Sequence, residues 1–152
     1  VSADTTIRLF NDCANIYGVQ EATGSLERTV ELLSRCPELK VFSGHDSIDY
    51  PILANGGAGI TSVKSNLMQD LTSKLVRLAL SGDFAGAKAI NDKLYPLNAV
   101  MFCESNPVPI KAAMYIAGLI DTLEYRLPLV APSVENMKKI EEVMKNYEIK
   151  GL

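Results

Sequence analysis

The sequence contains little of what marks secreted, zinc-binding or membrane-spanning proteins. It has no tryptophan, one histidine and three cysteines, and no apolar run approaches the roughly 20 residues needed to cross a bilayer. Cys13, Cys36 and Cys103 are odd in number, far apart and not arranged as CxxC. That pattern argues against a disulfide framework and a zinc site, and it fits buried, reduced cysteines. We therefore expect a cytoplasmic protein without a leader peptide or a membrane span.

An excess of positive charge is also absent. The 152 residues include 15 lysines and arginines against 18 acidic residues, a net charge of −3, and the basic residues are spread along the chain. Proteins that bind nucleic acid or anionic membranes normally cluster their basic residues, so we expect neither partner. Hydrophobic residues make up 47% and charged residues 22%, which is typical of a globular protein, and the length suits one domain.

The pattern of apolar and capping residues predicts an α/β protein. Ser2, Ser25 and Ser133 each precede an amphipathic stretch and are typical helix N-caps. Strands that alternate with single helices indicate βα units and a parallel sheet, whereas the pattern becomes wholly helical from Asn66 onward. The predicted strands are residues 16–19, 39–42 and 60–63.

Polar residues follow each predicted strand, at the edge where parallel α/β sheets bind ligands. His45 beside Asp46 is either a general base with a neighbouring carboxylate or a pair of turn residues, with Asp46 capping the next helix. Glu21 is either an acid–base group or a carboxylate that is solvated or paired with a helix end. Lys64 is either an amine nucleophile or a surface lysine. The three polar segments are residues 20–24, 43–46 and 61–66.

Five short motifs occur in order along the chain. They are GVQEATG at residues 18–24, SGHD at 43–46, GGAGITSVKSN at 56–66, ESNPVPIK at 104–111 and RLPL at 126–129. This series resembles G-[IV]-K-E-[AS]-x-G, S-G-D-D, G-G-x-G-[VI]-I-S-V-x-x-N, E-x-N-P-[IV]-P-x-K and R-L-P-[LM] of the dihydrodipicolinate synthase / N-acetylneuraminate lyase family. The resemblance is closest to the lysine-biosynthetic branch, and it covers essentially the whole chain but only the back part of the family protein.

The resemblance implies a partial TIM barrel. By it, residues 1–66 hold strands six to eight of a (β/α)8 barrel, and residues 67–152 hold the last barrel helix and a C-terminal helical annex, all in one folding unit. The front half of such a barrel is not in this sequence. Because a truncated barrel exposes strand edges, we expect a homo-oligomer or a complementary chain.

The resemblance also implies a chemistry. Family members form a Schiff base between pyruvate and a lysine of strand six, and the resulting enamine attacks an aldehyde without a metal or organic cofactor. That lysine position is Gln20 here. Further departures are His45 for the first acid of S-G-D-D, Thr61 for an isoleucine, and Lys64 for a small polar residue. The substrate-binding residues that the resemblance implies are Gly44, His45, Asp46, Thr61 and Ser62.

Four functional hypotheses remain open from the sequence. The chain is a truncated synthase-like protein without aldolase activity on its own, or a fragment or inactivated variant of a working enzyme. Alternatively, Lys64 replaces the lost nucleophile, because strand alternation places it on the same side as Ile60 and Ser62. The last hypothesis is a module that binds pyruvate or a related keto acid.

Overall fold

A computed structural model describes residues 1–149, which form two compact units. The first unit comprises Val1–Ser62 and Lys74–Ile90. The second comprises Val63–Ser73 and residues 91–149. The expected division at residue 66 into a barrel portion and an annex stays a prediction.

Helices and short strands alternate in the first part of the chain, and helices alone follow. The strands are β1 (Gly18–Glu21), β2 (Lys40–Ser43) and β3 (Gly59–Ile60), and 3₁₀ turns cover Asp46–Ile48 and Lys64–Asn66. The helices are α1 (Ala3–Asp12), α2 (Leu26–Arg35), α3 (Asp49–Ala54), α4 (Gln69–Leu80), α5 (Phe84–Val100), α6 (Val108–Ile116) and α7 (Val134–Met144).

Serine side chains begin three of these helices, as the sequence predicts. The Oγ atoms of Ser2, Ser25 and Ser133 each accept a hydrogen bond from the backbone N–H three residues later. A helix leaves its first N–H groups without partners inside the helix, and these serines supply one partner each. The starts of α1, α2 and α7 are therefore fixed by local sequence.

The three strands form one parallel sheet in the order β1-β2-β3. Val19 pairs with Val41, and Ser43 pairs with Ile60, which confirms the predicted βα units. The predicted third strand is present, but its predicted bounds, residues 60–63, are wrong, because β3 comprises Gly59–Ile60. β2 ends at Ser43, whose carbonyl accepts a hydrogen bond from Thr61 N at 2.6 Å, directly after β3.

The two faces of this sheet differ in burial. Successive side chains of a strand point to opposite faces. Glu21, Val41 and Ser43 lie on the face that the helices cover, with exposed fractions of 1%, 0% and 0%. Val41 packs in an apolar cluster with Leu32 of α2. Gln20 belongs to the opposite face and is exposed, so the polar residue at position 20 is presented on the uncovered side.

β1 forms one edge of the sheet. The carbonyl groups of Tyr17 and Glu21 accept hydrogen bonds from the β2 side, at 3.1 and 2.8 Å. Because alternate residues of a parallel strand bond to opposite neighbours, the backbone groups of Gly18 and Gln20 face away from β2, where residues 1–149 provide no strand. A cavity of about 620 Å³ runs along this edge. Its apolar lining includes Val1, Leu9, Ile16 and Val19.

The second unit contains α6 and α7, which pack against each other. Glu104 holds the start of α7, because its carboxylate accepts hydrogen bonds from Asn136 Nδ2 at 2.7 Å and from Ser133 N at 3.0 Å. These hydrogen bonds lower the pKa of Glu104, and the bond from Asn136 has the largest effect. Beyond α7, the Tyr147 hydroxyl donates to the Lys93 carbonyl at 2.8 Å. The packed helix therefore has polar anchors near both ends.

Candidate functional site

The carboxyl ends of the strands bring six of the predicted site residues to one edge of the first unit. The register places Glu21 level with Ser43, and Ser43 level with Ile60. Thr61 is exposed and Ser62 is half-buried just after β3. The six residues are Gln20, Gly44, His45, Asp46, Thr61 and Ser62.

Gln20 and His45 each lie against a glycine near the carboxyl ends of β1 and β2. The Gln20 side chain lies over Gly44, so that a Cβ atom on residue 44 would stand 2.5 Å from Gln20 Nε2 and 2.8 Å from its Cγ. The His45 ring lies beside Gly24 in the loop after β1, with Nε2 3.8 Å from where a Cβ of that glycine would be. Glycine at position 44 is therefore what leaves room for Gln20.

Glu21 is buried and ion-paired, so the alternative of a solvated carboxylate is wrong. Its Oε2 lies 2.5 Å from Arg28 Nε. Its Oε1 accepts a hydrogen bond from Thr23 N at 2.7 Å and another from the Thr23 hydroxyl. Arg28 stands in the first turn of α2 and also reaches Thr6 Oγ1 of α1 at 3.5 Å. The pair ties the carboxyl end of β1 to two helices, directly after Gln20.

His45 and Asp46 lie in the turn after β2. His45 N donates to Ser43 Oγ at 3.3 Å, and Asp46 begins the 3₁₀ turn with an exposed fraction of 1%. The residues before the turn and before α3 are His45 and Ile48, whose side chains make no capping hydrogen bond. The expectation that Asp46 caps the following helix stays a prediction. The half-buried His45 ring remains a candidate acid–base group.

Lys64 lies outside the strand on which the alternation argument depends. It begins a 3₁₀ turn four residues after β3 ends at Ile60, so alternation along a strand does not extend to it. Its side chain is fully buried, with an exposed fraction of 0%, so the surface-lysine alternative is also wrong. Lys64 belongs to the second unit, whereas Gln20 belongs to the first.

Arg28 and Thr23 are site-supporting residues that sequence reasoning missed. The sequence gives little indication that these residues contact a buried carboxylate, because a threonine in a loop and an arginine in a first helical turn are usually solvated. Only the fold brings both onto the buried carboxylate of Glu21. Their contribution is to hold β1 in place rather than to meet a ligand.

Metal-binding clusters, membrane-spanning helices and disulfide bonds are absent from the part of the chain that the structure describes. Within residues 1–149, no group of three or more histidine, cysteine or acidic side chains is placed to hold a metal ion. No helix there is both long and apolar enough to span a membrane. All three cysteines are free thiols, and the expected burial is right for Cys36 but wrong for Cys13 and Cys103, which are half-buried.

Comparisons with known proteins find close relatives. A family model described as the dihydrodipicolinate synthetase family matches residues 1–147. The chain is 80% identical over 152 residues to the 4-hydroxy-tetrahydrodipicolinate synthase of Sulfurimonas denitrificans, covering 100% of this chain and 51% of that protein. The chain thus spans about half the length of the curated relatives that it matches.

About half of each of two solved structures matches the fold of this chain. The crystal structure of dihydrodipicolinate synthase from Aquifex aeolicus matches with a TM-score of 0.94 and 39% identity, over 98% of this chain and 51% of that one. A chloride-inhibited dihydrodipicolinate synthase from Acinetobacter baumannii, solved in complex with pyruvate, matches with a TM-score of 0.90 and 34% identity. That match covers 95% of this chain and 50% of the other.

Proposed function

Because the chain belongs to the dihydrodipicolinate synthetase family, we propose that it binds pyruvate or a related keto acid without forming a Schiff base at residue 20. In this proposal the parallel sheet is the part of a (β/α)8 barrel that holds strands six to eight. One observation carries the proposal: residue 20 is glutamine, within a segment whose family motif has lysine at that position.

The chemistry of the amide supports this reading. Adding to a ketone requires a free amine, whereas the lone pair of the Gln20 nitrogen is delocalised into its own carbonyl. The amide instead offers N–H donors, which can bind a carboxylate or a keto oxygen. Gln20 is exposed and lies over Gly44. The remaining polar groups proposed to meet the ligand belong to His45, Asp46, Thr61 and Ser62.

A borohydride trap tests the absence of the covalent step. The chain is incubated with pyruvate and reduced, and its intact mass is measured. We expect no adduct on the unchanged chain and an adduct on the Gln20→Lys variant, which restores the amine at the family position. A stoichiometric adduct on the unchanged chain would contradict the proposal. Ligand-observed NMR with pyruvate provides the binding test, and no detectable binding would also contradict it.

A relocated amine is the second candidate. Lys64 stands in the segment that resembles the eighth-strand motif, and its side chain is withdrawn from bulk water. If the unchanged chain forms an adduct, peptide mapping identifies the amine. Loss of that adduct in Lys64→Met, and its retention in the Lys40→Met control, would assign the nucleophile to Lys64.

The edge of β1 supports a proposal about partners. Gly18 and Gln20 turn backbone groups away from β2, and the cavity beside them has an apolar lining. We propose that a second copy of the chain, or a complementary chain that supplies the missing strands, covers this edge. Light scattering checks the first alternative, and co-purification with the other half of the Sulfurimonas relative checks the second. A chain that is a monodisperse monomer at micromolar concentration and does not co-purify with the other half of the Sulfurimonas relative would refute both alternatives.

The fragment alternative makes a separate prediction. If the chain is part of a working or inactivated enzyme, the upstream coding sequence continues in frame with a G-T-T-G-E-like motif. Sequencing the upstream region distinguishes this alternative from a naturally truncated protein.

A further inference from the structure

Helix α1 packs on the same face of the sheet as the helices that connect the strands. Ala3 of α1 belongs to the apolar cluster that contains Val41. Ile7 and Phe10 of α1 pack against this cluster, together with Val19 of β1. α1 also contacts α2, and α2 contacts α3. The chain therefore enters β1 from a helix on the covered face, just as it enters β2 from α2 and β3 from α3.

The handedness of these connections fixes where a strand that leads into α1 would lie. Strand–helix–strand connections between parallel strands are almost always right-handed. Right-handed connections whose helices lie on one face all step in the same direction across a sheet, here the direction β1-β2-β3. A strand that leads into α1 must then lie on the side of β1 away from β2. Residues 1–149 contain no strand before α1, so within them this connection has no first strand.

The start of α1 lies near the carboxyl end of β1. Arg28 donates a hydrogen bond to Thr6 Oγ1 of α1 at 3.5 Å, and it is ion-paired with Glu21, the last residue of β1. Val1, which directly precedes the capping Ser2, lines the cavity along the edge of β1. A strand that runs through this cavity parallel to β1 would therefore end where α1 begins.

We propose that the edge of β1 binds, in parallel, a strand of a complementary chain with large apolar side chains at alternate positions. This inference rests on the proposal that another chain covers this edge, and it selects one of the two partners named there. The backbone groups of Gly18 and Gln20 hydrogen-bond to the new strand, because they face away from β2. Every second side chain of that strand enters the apolar cavity lined by Leu9, Ile16 and Val19.

A second copy of the chain fits this edge less well. A two-fold contact that hydrogen-bonds two β1 edges to each other makes them antiparallel, whereas the connection through α1 requires a parallel neighbour. The other sheet edge in the described residues is β3, whose two residues cannot match the four residues of β1. The Sulfurimonas relative, by contrast, is about twice as long as this chain, so its other half is long enough to supply a strand.

Amide hydrogen exchange, followed by NMR, tests the pairing at β1. In the free chain the Gly18 and Gln20 amides should exchange rapidly, whereas those of Val19 and Glu21, which face β2, should be protected. The chain is then co-expressed with the other half of the Sulfurimonas relative, and that half is held at about 100 times its Kd. Exchange at Gly18 and Gln20 should slow about 100-fold, because about one chain in 100 stays free. Close contacts between Hα atoms, which mark antiparallel pairing, should be absent.

Leu9→Lys tests the apolar contact. Leu9 lines the cavity and is 38% exposed, so a lysine there is solvated in the free chain but buried against the new strand in the complex. We expect Leu9→Lys to raise the Kd for the other half about 10–100-fold, the contribution of one buried leucine. Leu80→Lys is the matched control, because Leu80 is 57% exposed in α4 and does not line the cavity. It should leave the Kd unchanged, and circular dichroism of both free variants should match that of the unchanged chain.

The outcomes distinguish this inference from the proposal on which it rests. If the other half binds while the Gly18 and Gln20 amides exchange as in the free chain, the inference is overturned and the partner proposal stands. Unaltered binding by Leu9→Lys has the same meaning. Protection of these two amides in a dimer of the chain alone overturns the inference in favour of a second copy. If the chain binds neither itself nor the other half, both proposals are overturned. Pyruvate is left out of every sample, so the proposed keto-acid binding is tested separately.

Discussion

Replacing Arg28 by methionine tests whether an ion pair holds the strand that presents Gln20. Arg28 Nε lies 2.5 Å from Glu21 Oε2, and the two side chains are 20% and 1% exposed. Thr23 provides the other hydrogen bonds to this carboxylate. Methionine keeps much of the apolar stem of arginine and removes the guanidinium. In the Arg28→Met variant, the buried Glu21 carboxylate therefore loses its ion pair and keeps the hydrogen bonds from Thr23.

The expected loss of unfolding free energy follows from the burial of the Glu21–Arg28 ion pair. Breaking a fully buried ion pair by removing one partner costs about 3–5 kcal/mol. The exposed fifth of the Arg28 side chain admits water, and the Thr23 bonds remain. We therefore expect Arg28→Met to lower the free energy of unfolding by about 2–3 kcal/mol. Arg35→Met is the matched control, since Arg35 pairs with Asp4 and Glu31 at similar distances but in solvent. Its loss should be far smaller, because solvent screens exposed pairs.

Urea unfolding is the assay, with the midpoints compared at an unchanged slope. The double variant Glu21→Gln/Arg28→Met should be more stable than Arg28→Met alone, because a neutral amide replaces the unpaired buried charge. Equal losses for Arg28→Met and Arg35→Met would refute the reasoning. So would a double variant that is no more stable than Arg28→Met.

Three further changes have defined outcomes. Gly44→Ala places a Cβ 2.5 Å from Gln20 Nε2, so urea unfolding should show a loss of about 1–3 kcal/mol that shrinks in a Gln20→Ala background; equal losses in both backgrounds would contradict the contact. The hydrogen bond from Asn136 lowers the pKa of Glu104 below its ordinary value, so Glu104 stabilises the fold above its unfolded pKa and stops doing so as the pH falls through its folded pKa. The unfolding midpoint of Glu104→Gln should be lower than that of the unchanged chain at neutral pH and converge with it in acid, whereas parallel pH profiles would argue against this. Ser25→Ala removes the cap of α2 and should cost about 1 kcal/mol in thermal unfolding; an unaltered melting temperature would show that the cap contributes nothing.

The features that were predictable from sequence are those encoded over a few residues. Ser25 and Ser133 cap helices through bonds to residues three positions later, so the cap and its partner appear together in the sequence. The βα alternation is also local, because each apolar strand and the helix that follows it are contiguous. The parallel order β1-β2-β3 then follows from short, right-handed connections. Fold class was accordingly accessible without any structure.

Long-range packing decided the features that were missed. Glu21 and Arg28 form their ion pair because the chain reverses at Gly24, where φ is +80°. Lysines are rarely buried, so nothing in the local sequence marks Lys64 as fully enclosed in a turn that contacts α6. The early end of β3 depends on where β2 stops, which is a property of a different segment. The Glu21 ion pair, the burial of Lys64 and the end of β3 each depend on a segment that is not adjacent in sequence.

The contact over Gly44 explains how position 20 can change its chemistry while the surrounding motifs persist. The Gln20 atoms that approach Gly44 include Cγ, an atom that lysine also has in an unbranched chain. Glycine at position 44 therefore makes room for glutamine or for lysine at position 20. Its presence indicates how the two positions pack and does not indicate which chemistry residue 20 performs. The head group at the exposed end of residue 20 is what separates an amine from an amide. Gln20→Lys consequently changes the chemistry with little demand for repacking. If it forms no adduct with pyruvate, the obstacle lies outside residue 20.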